Sequence, residues 1–236
     1  MEIELKRKLE KPRLLEGFPG FGLVGTIATE FLIEHLKCEE IGRIMLDEIP
    51  AMVAIHDNKV VQPLGLHYSK EYHLLILHAV TTSQGIEWKL IEALLALQKE
   101  IHAPEIISLE GVGSAEQNPD PQTYFYATHR EHQEKLRKIG LQPLKEGIII
   151  GVTGGLLIKA GSIPITCFFA ETMSNLPDST AAAHVISALD KYLNMKVDPQ
   201  PLLEQAKQME AKLKNILTQT QKTQEMSEAK KLSYMG

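Results

Sequence analysis

Cysteine is nearly absent from this chain: Cys38 and Cys167 are the only two in 236 residues. Two thiols cannot build a disulfide framework, and no C-x-x-C pair occurs, so a reducing cytoplasm is the expected setting. No apolar run reaches the roughly 18 residues a membrane-spanning helix needs, and residues 1–6 lack the apolar stretch of a signal peptide. A basic surplus is missing too. The net charge is -5, the pI is about 6.0, and the densest basic cluster is Lys6-Arg7-Lys8, so no nucleic-acid partner is expected. There is no P-loop, no metal-spaced histidine pair and no G-x-S-x-G elbow. No metal, cofactor or catalytic residue is therefore assigned.

What is present is ordinary globular composition, 44% hydrophobic and 23% charged. Residues 13–16 read as a short strand entering a glycine-rich turn, Gly17 to Gly25. The spacing of Leu23, Ile27, Phe31 and Leu36 predicts a helix. A strand at 41–46 and short strands at 52–55, 60–61 and 64–68 follow. Leu74-Leu75-Ile76-Leu77 suits a central strand covered on both faces. The stretch 86–101 is amphipathic and stops at Pro104, and 106–109 is another buried strand. Residues 111–128, polar and rich in Gly and Pro, are expected at the sheet edge and mobile. A short helix at 129–139, strands at 148–150 and 164–169, and a helix at 178–193 capped by Asp178 or Ser179 complete the pattern. The fold class is α/β, a single domain with a mostly parallel central sheet. The hairpin-like stretch 52–68 makes the sheet mixed.

The chain changes character after residue 197. Pro199 and Pro201 open a helix over 198–219, in which Leu202, Ala206, Met209, Leu213 and Ile216 follow a 4-3-4-3 seam suited to a partner helix or to the chain's own domain. Residues 220–236 read as a flexible polar tail ending in Leu232, Tyr234 and Met235.

Gly20-Phe21-Gly22-Leu23-Val24-Gly25 matches G-x-G-x-x-G ahead of a helix, and Asp47 lies about 20 residues on, the spacing of a dinucleotide site. Gly17-Phe18-Pro19 intervenes between strand and motif, however, and Phe18 and Phe21 crowd a phosphate. A turn that needs its glycines for positive φ and close packing is an alternative. A third is a surface for protein contact, with both phenylalanines projecting. Elsewhere, His129 and His132 read as solvated and His78 as a satisfied strand-end histidine. Cys167 reads as a buried thiol, Ser83 as a loop residue, Gly113-Ser114-Ala115-Glu116 as a pocket-lining loop, and Thr153-Gly154-Gly155 as a tight turn or an anion site.

Four stretches, Glu16 to Gly25, Gly111-Val112-Gly113, Gly151 to Leu157, and Asn175-Leu176-Pro177-Asp178 with Ala181-Ala182-Ala183, together resemble the proteasome assembly chaperone family in its archaeal form. The resemblance covers about residues 12–195. Gly17, Pro19, Gly20, Gly22 and Gly25 carry its most specific motif, and Pro177 and Asp178 the next. It implies an architecture similar to the purine nucleoside phosphorylases without their catalysis, homo-oligomers, and proteasome α-subunits as partners. Relatives can end in a hydrophobic–tyrosine–any tail that docks between α-subunits. Here Tyr234 is third from the end, so either Tyr234 and Met235 take those two places or the motif is absent.

The expected function is that of a binding protein, not an enzyme, holding proteasome α-subunits. Phe18, Phe21, Leu232, Tyr234 and Met235 are the contact residues. A self-assembling structural protein with a sister chain, or a nucleoside- or nucleotide-binding enzyme, are the alternatives.

Overall fold

The computed structural model describes residues 1–49, 53–56, 58–80, 85–113, 122–172 and 176–204. Ser83, Ser114, the seam residues Ala206, Met209, Leu213 and Ile216, and Leu232, Tyr234 and Met235 lie outside the described residues.

The frame is a nine-stranded mixed sheet in the order β1-β3-β6-β7-β2-β8-β11-β9-β10. Its centre is β7 (Leu74–Ala79), β2 (Arg13–Gly17), β8 (Ile106–Gly113) and β11 (Ile165–Thr172), all parallel to one another. These strands carry continuous apolar runs because helices cover both faces. On one side α2 (Glu87–Ile101) and α4 (Val152–Lys159) pack Leu90, Ile91, Leu94 and Leu156 onto Leu14, Leu75, Leu77 and Phe169. On the other, α1 (Val24–His35), α3 (Arg130–Lys138) and α5 (Ser179–Leu193) pack Leu32, Leu136 and Ile186 onto Leu15, Ile76, Ile107 and Phe168. The period-two alternation of strand side chains divides each run between the two cores.

Antiparallel strands finish both edges. β1 (Glu2–Leu5), β3 (Glu39–Met45) and β6 (Leu64–Ser69) lie beyond β7. β9 (Thr123–Ala127) pairs antiparallel with β11, and β10 (Gln142–Pro143) pairs with β9. A separate hairpin joins β4 (Ala54–His56) to β5 (Lys59–Val61), with Asn58 at φ 59, the left-handed position such turns favour.

Several expectations need correction. Residues 123–127, assigned to a polar loop, form a strand bonded to β11. Residues 148–150, expected to be a strand, are not: both edges of β11 are already taken by β8 and β9, and Ile148 and Ile150 are 87% and 75% exposed. Thr153-Gly154-Gly155 is not a turn but the first part of α4. The strand β1 was not anticipated.

Candidate functional site

The chain leaves β2, crosses to β7 on one side and returns to β8 on the other. The carboxyl ends of β2 and β8 therefore flank the point where strand order reverses, the place where open α/β sheets form a ligand crevice. A crevice of about 560 Å³ opens at this end of the sheet, with β8 supplying its inner wall. Pro19, Gly20 and Phe21 line it from the glycine turn, Glu110 to Gly113 from β8, Ile148 to Gly151 from the loop before α4, and Glu87 from α2.

The glycine turn is built for close approach. Gly22 sits at φ +61, which few side chains adopt. A Cβ on Gly25 would lie 2.3 Å from the Leu109 carbonyl oxygen. Gly17 and Gly25 also face each other, so that a Cβ on Gly17 would fall 2.2 Å from the Gly25 oxygen. Two of the three glycines of the G-x-G-x-x-G match thus serve chain packing: Gly22 turns the backbone, and Gly25 lets α1 sit against β2 and β8. Phe21 is 47% exposed beside the crevice, whereas Phe18 is 2% exposed in the α2–α4 core. The expectation that both phenylalanines project holds for Phe21 and fails for Phe18, whose ring replaces water with core contacts.

The Pro177-Asp178 entry to α5 closes on the same turn. Asp178 Oδ1 accepts from the Ala181 amide at 2.8 Å, capping the helix. Its Oδ2 accepts from Thr172 Oγ1 at 2.8 Å, and its own amide donates to the Gly22 carbonyl at 2.8 Å. Stretches far apart in sequence therefore meet around one end of the sheet.

Beneath the turn lies a buried polar cluster. Glu16 on β2, Ser108 and Glu110 on β8, and Thr153 on α4 all point toward the α2–α4 face, because Glu16 registers with Ser108 and Glu110 is two residues on. Thr153 Oγ1 donates to Glu110 Oε1 at 2.6 Å and lies 2.7 Å from Ser108 Oγ and 3.5 Å from Glu16 Oε1. Glu16 Oε2 is buried without a hydrogen-bond partner among the described residues. Burial pushes Glu16 up to about 7, with Ser108, the Phe18 backbone and Thr153 pulling the other way. Burial and the neighbouring Glu16 push Glu110 up to about 8, against the hydrogen bond from Thr153. Cys167, across from Ser108 on β11, is fully buried, and burial plus the two carboxylates raise its thiol.

Neither glutamate was singled out from the sequence. The signal available was a carboxylate closing an apolar strand run, in Leu15-Glu16-Gly17 and again in Leu109-Glu110-Gly111. His78 is satisfied as expected, with Nδ1 2.9 Å from Thr29 Oγ1. His132 is not solvated, and this expectation is corrected. Its Nδ1 lies 2.9 Å from Glu105 Oε1 at the opposite end of the sheet. Glu105 also accepts from Thr166 and Tyr192 and pairs with Arg13. Among the described residues no group of three or more His, Cys, Asp or Glu is placed to hold a metal, and no helix is long and apolar enough to cross a membrane.

A family model described as the PAC2 family matches residues 14–217. The chain belongs to the PAC2 family. It is 26% identical over 216 residues to an uncharacterised protein of Methanocaldococcus jannaschii, MJ0106, spanning 91% of this chain and 89% of that protein. Its fold is similar to that of Pyrococcus furiosus PbaA, an archaeal homologue of a proteasome-assembly chaperone, at TM-score 0.85 and 28% identity over 97% of this chain and 96% of the other. It is also similar to PbaB of the same organism, an archaeal proteasome activator, at TM-score 0.77 and 26% identity over 91% and 98%. The likeness to PbaA over nearly all of both chains shows that the α/β domain with its mixed sheet is a fold the two share.

Proposed function

We propose that this PAC2 protein is a proteasome assembly chaperone that binds α-subunits through a homo-oligomeric domain. The observation that carries the reading is its similarity over almost the whole of both chains to PbaA, an archaeal homologue of a proteasome-assembly chaperone. Supporting it, exposed apolar side chains gather at the carboxyl end of the sheet. Phe21, Ile148 and Ile150 stand at the crevice, Trp88 lies in the first turn of α2 next to the crevice residue Glu87, and Ile55 and Val60 sit on the hairpin that follows β3 at this end. Exposed apolar surface of this kind marks protein contact more often than chance. The mechanism is passive: the oligomer holds α-subunit surfaces in register. The terminal residues Leu232, Tyr234 and Met235 add a tethered second contact that raises local concentration.

Capture from cell extract on the full-length chain, with the retained proteins identified by mass, tests this reading. Proteasome α-subunits are expected in the retained fraction and depleted when Phe21 is changed to Ala. Retention of a sister PAC2 chain with no α-subunit would overturn it in favour of a self-contained assembly.

A further inference from the structure

We propose that the crevice at the carboxyl ends of β2 and β8 is a binding site for a small organic cation, an apolar body carrying an amidinium, guanidinium or ammonium head that seats on Glu110. The proposal is independent of the proteasome reading, since it concerns a cavity that a single chain already contains.

Glu110 is the reason. It is 8% exposed, yet it lines the crevice. Its Oε1 is held by Thr153 Oγ1 at 2.6 Å, which fixes the carboxyl plane. Oε2 has no hydrogen-bond partner among the described residues and lies under Gly20, where an added Cβ would stand 2.8 Å from it. This oxygen faces the crevice, open space of a size that holds a small ligand. The remaining walls are apolar or bare backbone: Pro19, Phe21, Val112, Ile149 and Phe169 with the glycines. The other charge on the rim is Glu87. No lysine, arginine or histidine lines the crevice among the described residues, and residues 114–121, which follow Gly113, contain none. Those walls reject an anion and leave a cation, or a strong hydrogen-bond donor, as the complementary guest.

The protonation state sharpens the expectation. Glu110 is faced by Glu16 from β2, by Thr153 from α4, by Cys167 from β11, by Ser108 on its own strand, by Gly20 from the turn and by Glu87 on the rim. None of these carries a positive charge, so the empty site retains a proton on Glu110 near neutrality. A bound cation favours the carboxylate and expels that proton. Binding then tightens as pH rises toward the Glu110 titration, by up to about tenfold per pH unit.

Benzamidine is the probe, a flat apolar ring with an amidinium head, and benzoate, the same ring with a negative head, is the control. Calorimetric titrations of the full-length protein at about pH 6, 7 and 8.5, in two buffers of different ionisation enthalpy, read affinity and proton release together. Benzamidine is expected to bind, to release protons on binding at pH 7, and to bind more tightly at the higher pH, while benzoate gives no heat. Glu110→Gln, which keeps the shape and removes the charge, is expected to weaken benzamidine by about tenfold or more and to abolish the pH dependence. Gly20→Ala places a methyl group over Oε2 without changing Glu110. Its backbone, at φ -141 and ψ -154, is accessible to alanine, so it is expected to weaken binding in a folded protein even if Glu110→Gln does not fold. No benzamidine binding at any of the three pH values, equal affinity in either folded variant, or benzoate binding as tightly as benzamidine would overturn the proposal.

Discussion

Asp178 and Glu110 both make buried or part-buried polar contacts at the carboxyl end of the sheet. Asp178 joins three pieces of chain, because it caps α5, accepts from the buried Thr172 and donates through its amide to the glycine turn. Asp178→Ala removes the cap and leaves Thr172 Oγ1 without its acceptor. The expected loss is about 1–3 kcal/mol in urea unfolding, with Asp178→Asn recovering part of it. A loss no larger than that of a surface alanine substitution would show that the turn is held by backbone packing alone. Glu110 acts in the other direction. A carboxyl whose folded pKa lies above its unfolded value binds more protons when folded, so stability falls as pH rises between the two. For Glu110 that window runs from the ordinary carboxylate range to about 8, and Glu16 adds a window closing near 7. Glu110→Gln is therefore expected to flatten the decline in unfolding free energy between about pH 5 and 8, and to gain stability on the order of a few kcal/mol at the upper end. Parallel wild-type and variant curves would show that Glu110 is not protonated in the folded chain.

At the scale of elements, the parts that sequence reveals are those whose pattern is decided locally. The central strands Leu74–Ala79 and Ile106–Gly113 and the helices Glu87–Ile101 and Ser179–Leu193 announce themselves through continuous or 3.6-periodic apolar runs and a capping aspartate. The elements that were missed depend on neighbours. Thr123–Ala127 is a strand because β11 has a free edge for it, whereas Ile148-Ile149-Ile150, more strand-like in composition, has no such edge and is left at the crevice mouth. The buried glutamates were hidden for a related reason. A Leu-Glu-Gly strand ending reads the same whether its carboxylate meets water or, as here, a threonine on a helix some 40 residues further along the chain. Leu202 shows how tertiary context resolves the ambiguity in the seam. It is 4% exposed against the α1–α5 core, so the first seam position belongs to the chain's own domain. Leu202→Ala is expected to cost about 2–4 kcal/mol in unfolding free energy. An unchanged urea midpoint would show that this helix start is not docked on the core. At the crevice mouth the opposite holds. Replacing Ile148 and Ile150 together with Ser removes exposed apolar surface and is expected to leave the unfolding free energy within about 0.5 kcal/mol of wild type while weakening self-association or subunit binding. If neither interaction changes in light scattering or binding, that surface is not a contact.

For the whole molecule, the proposed chaperone function rests on a three-layer PAC2 domain that exposes Phe21, Ile148 and Ile150 at the carboxyl end of its sheet. The most direct measurement is equilibrium binding of the purified full-length chain to purified proteasome α-subunits from the same source, with complex mass followed by light scattering. The expected result is a homo-oligomer of the free chain that forms a defined complex with α-subunits at micromolar concentration or below, and that dissociates faster from them once the last five residues are removed. A folded chain that remains a monomer near 26.4 kDa and shows no α-subunit binding at tens of micromolar would contradict the chaperone assignment.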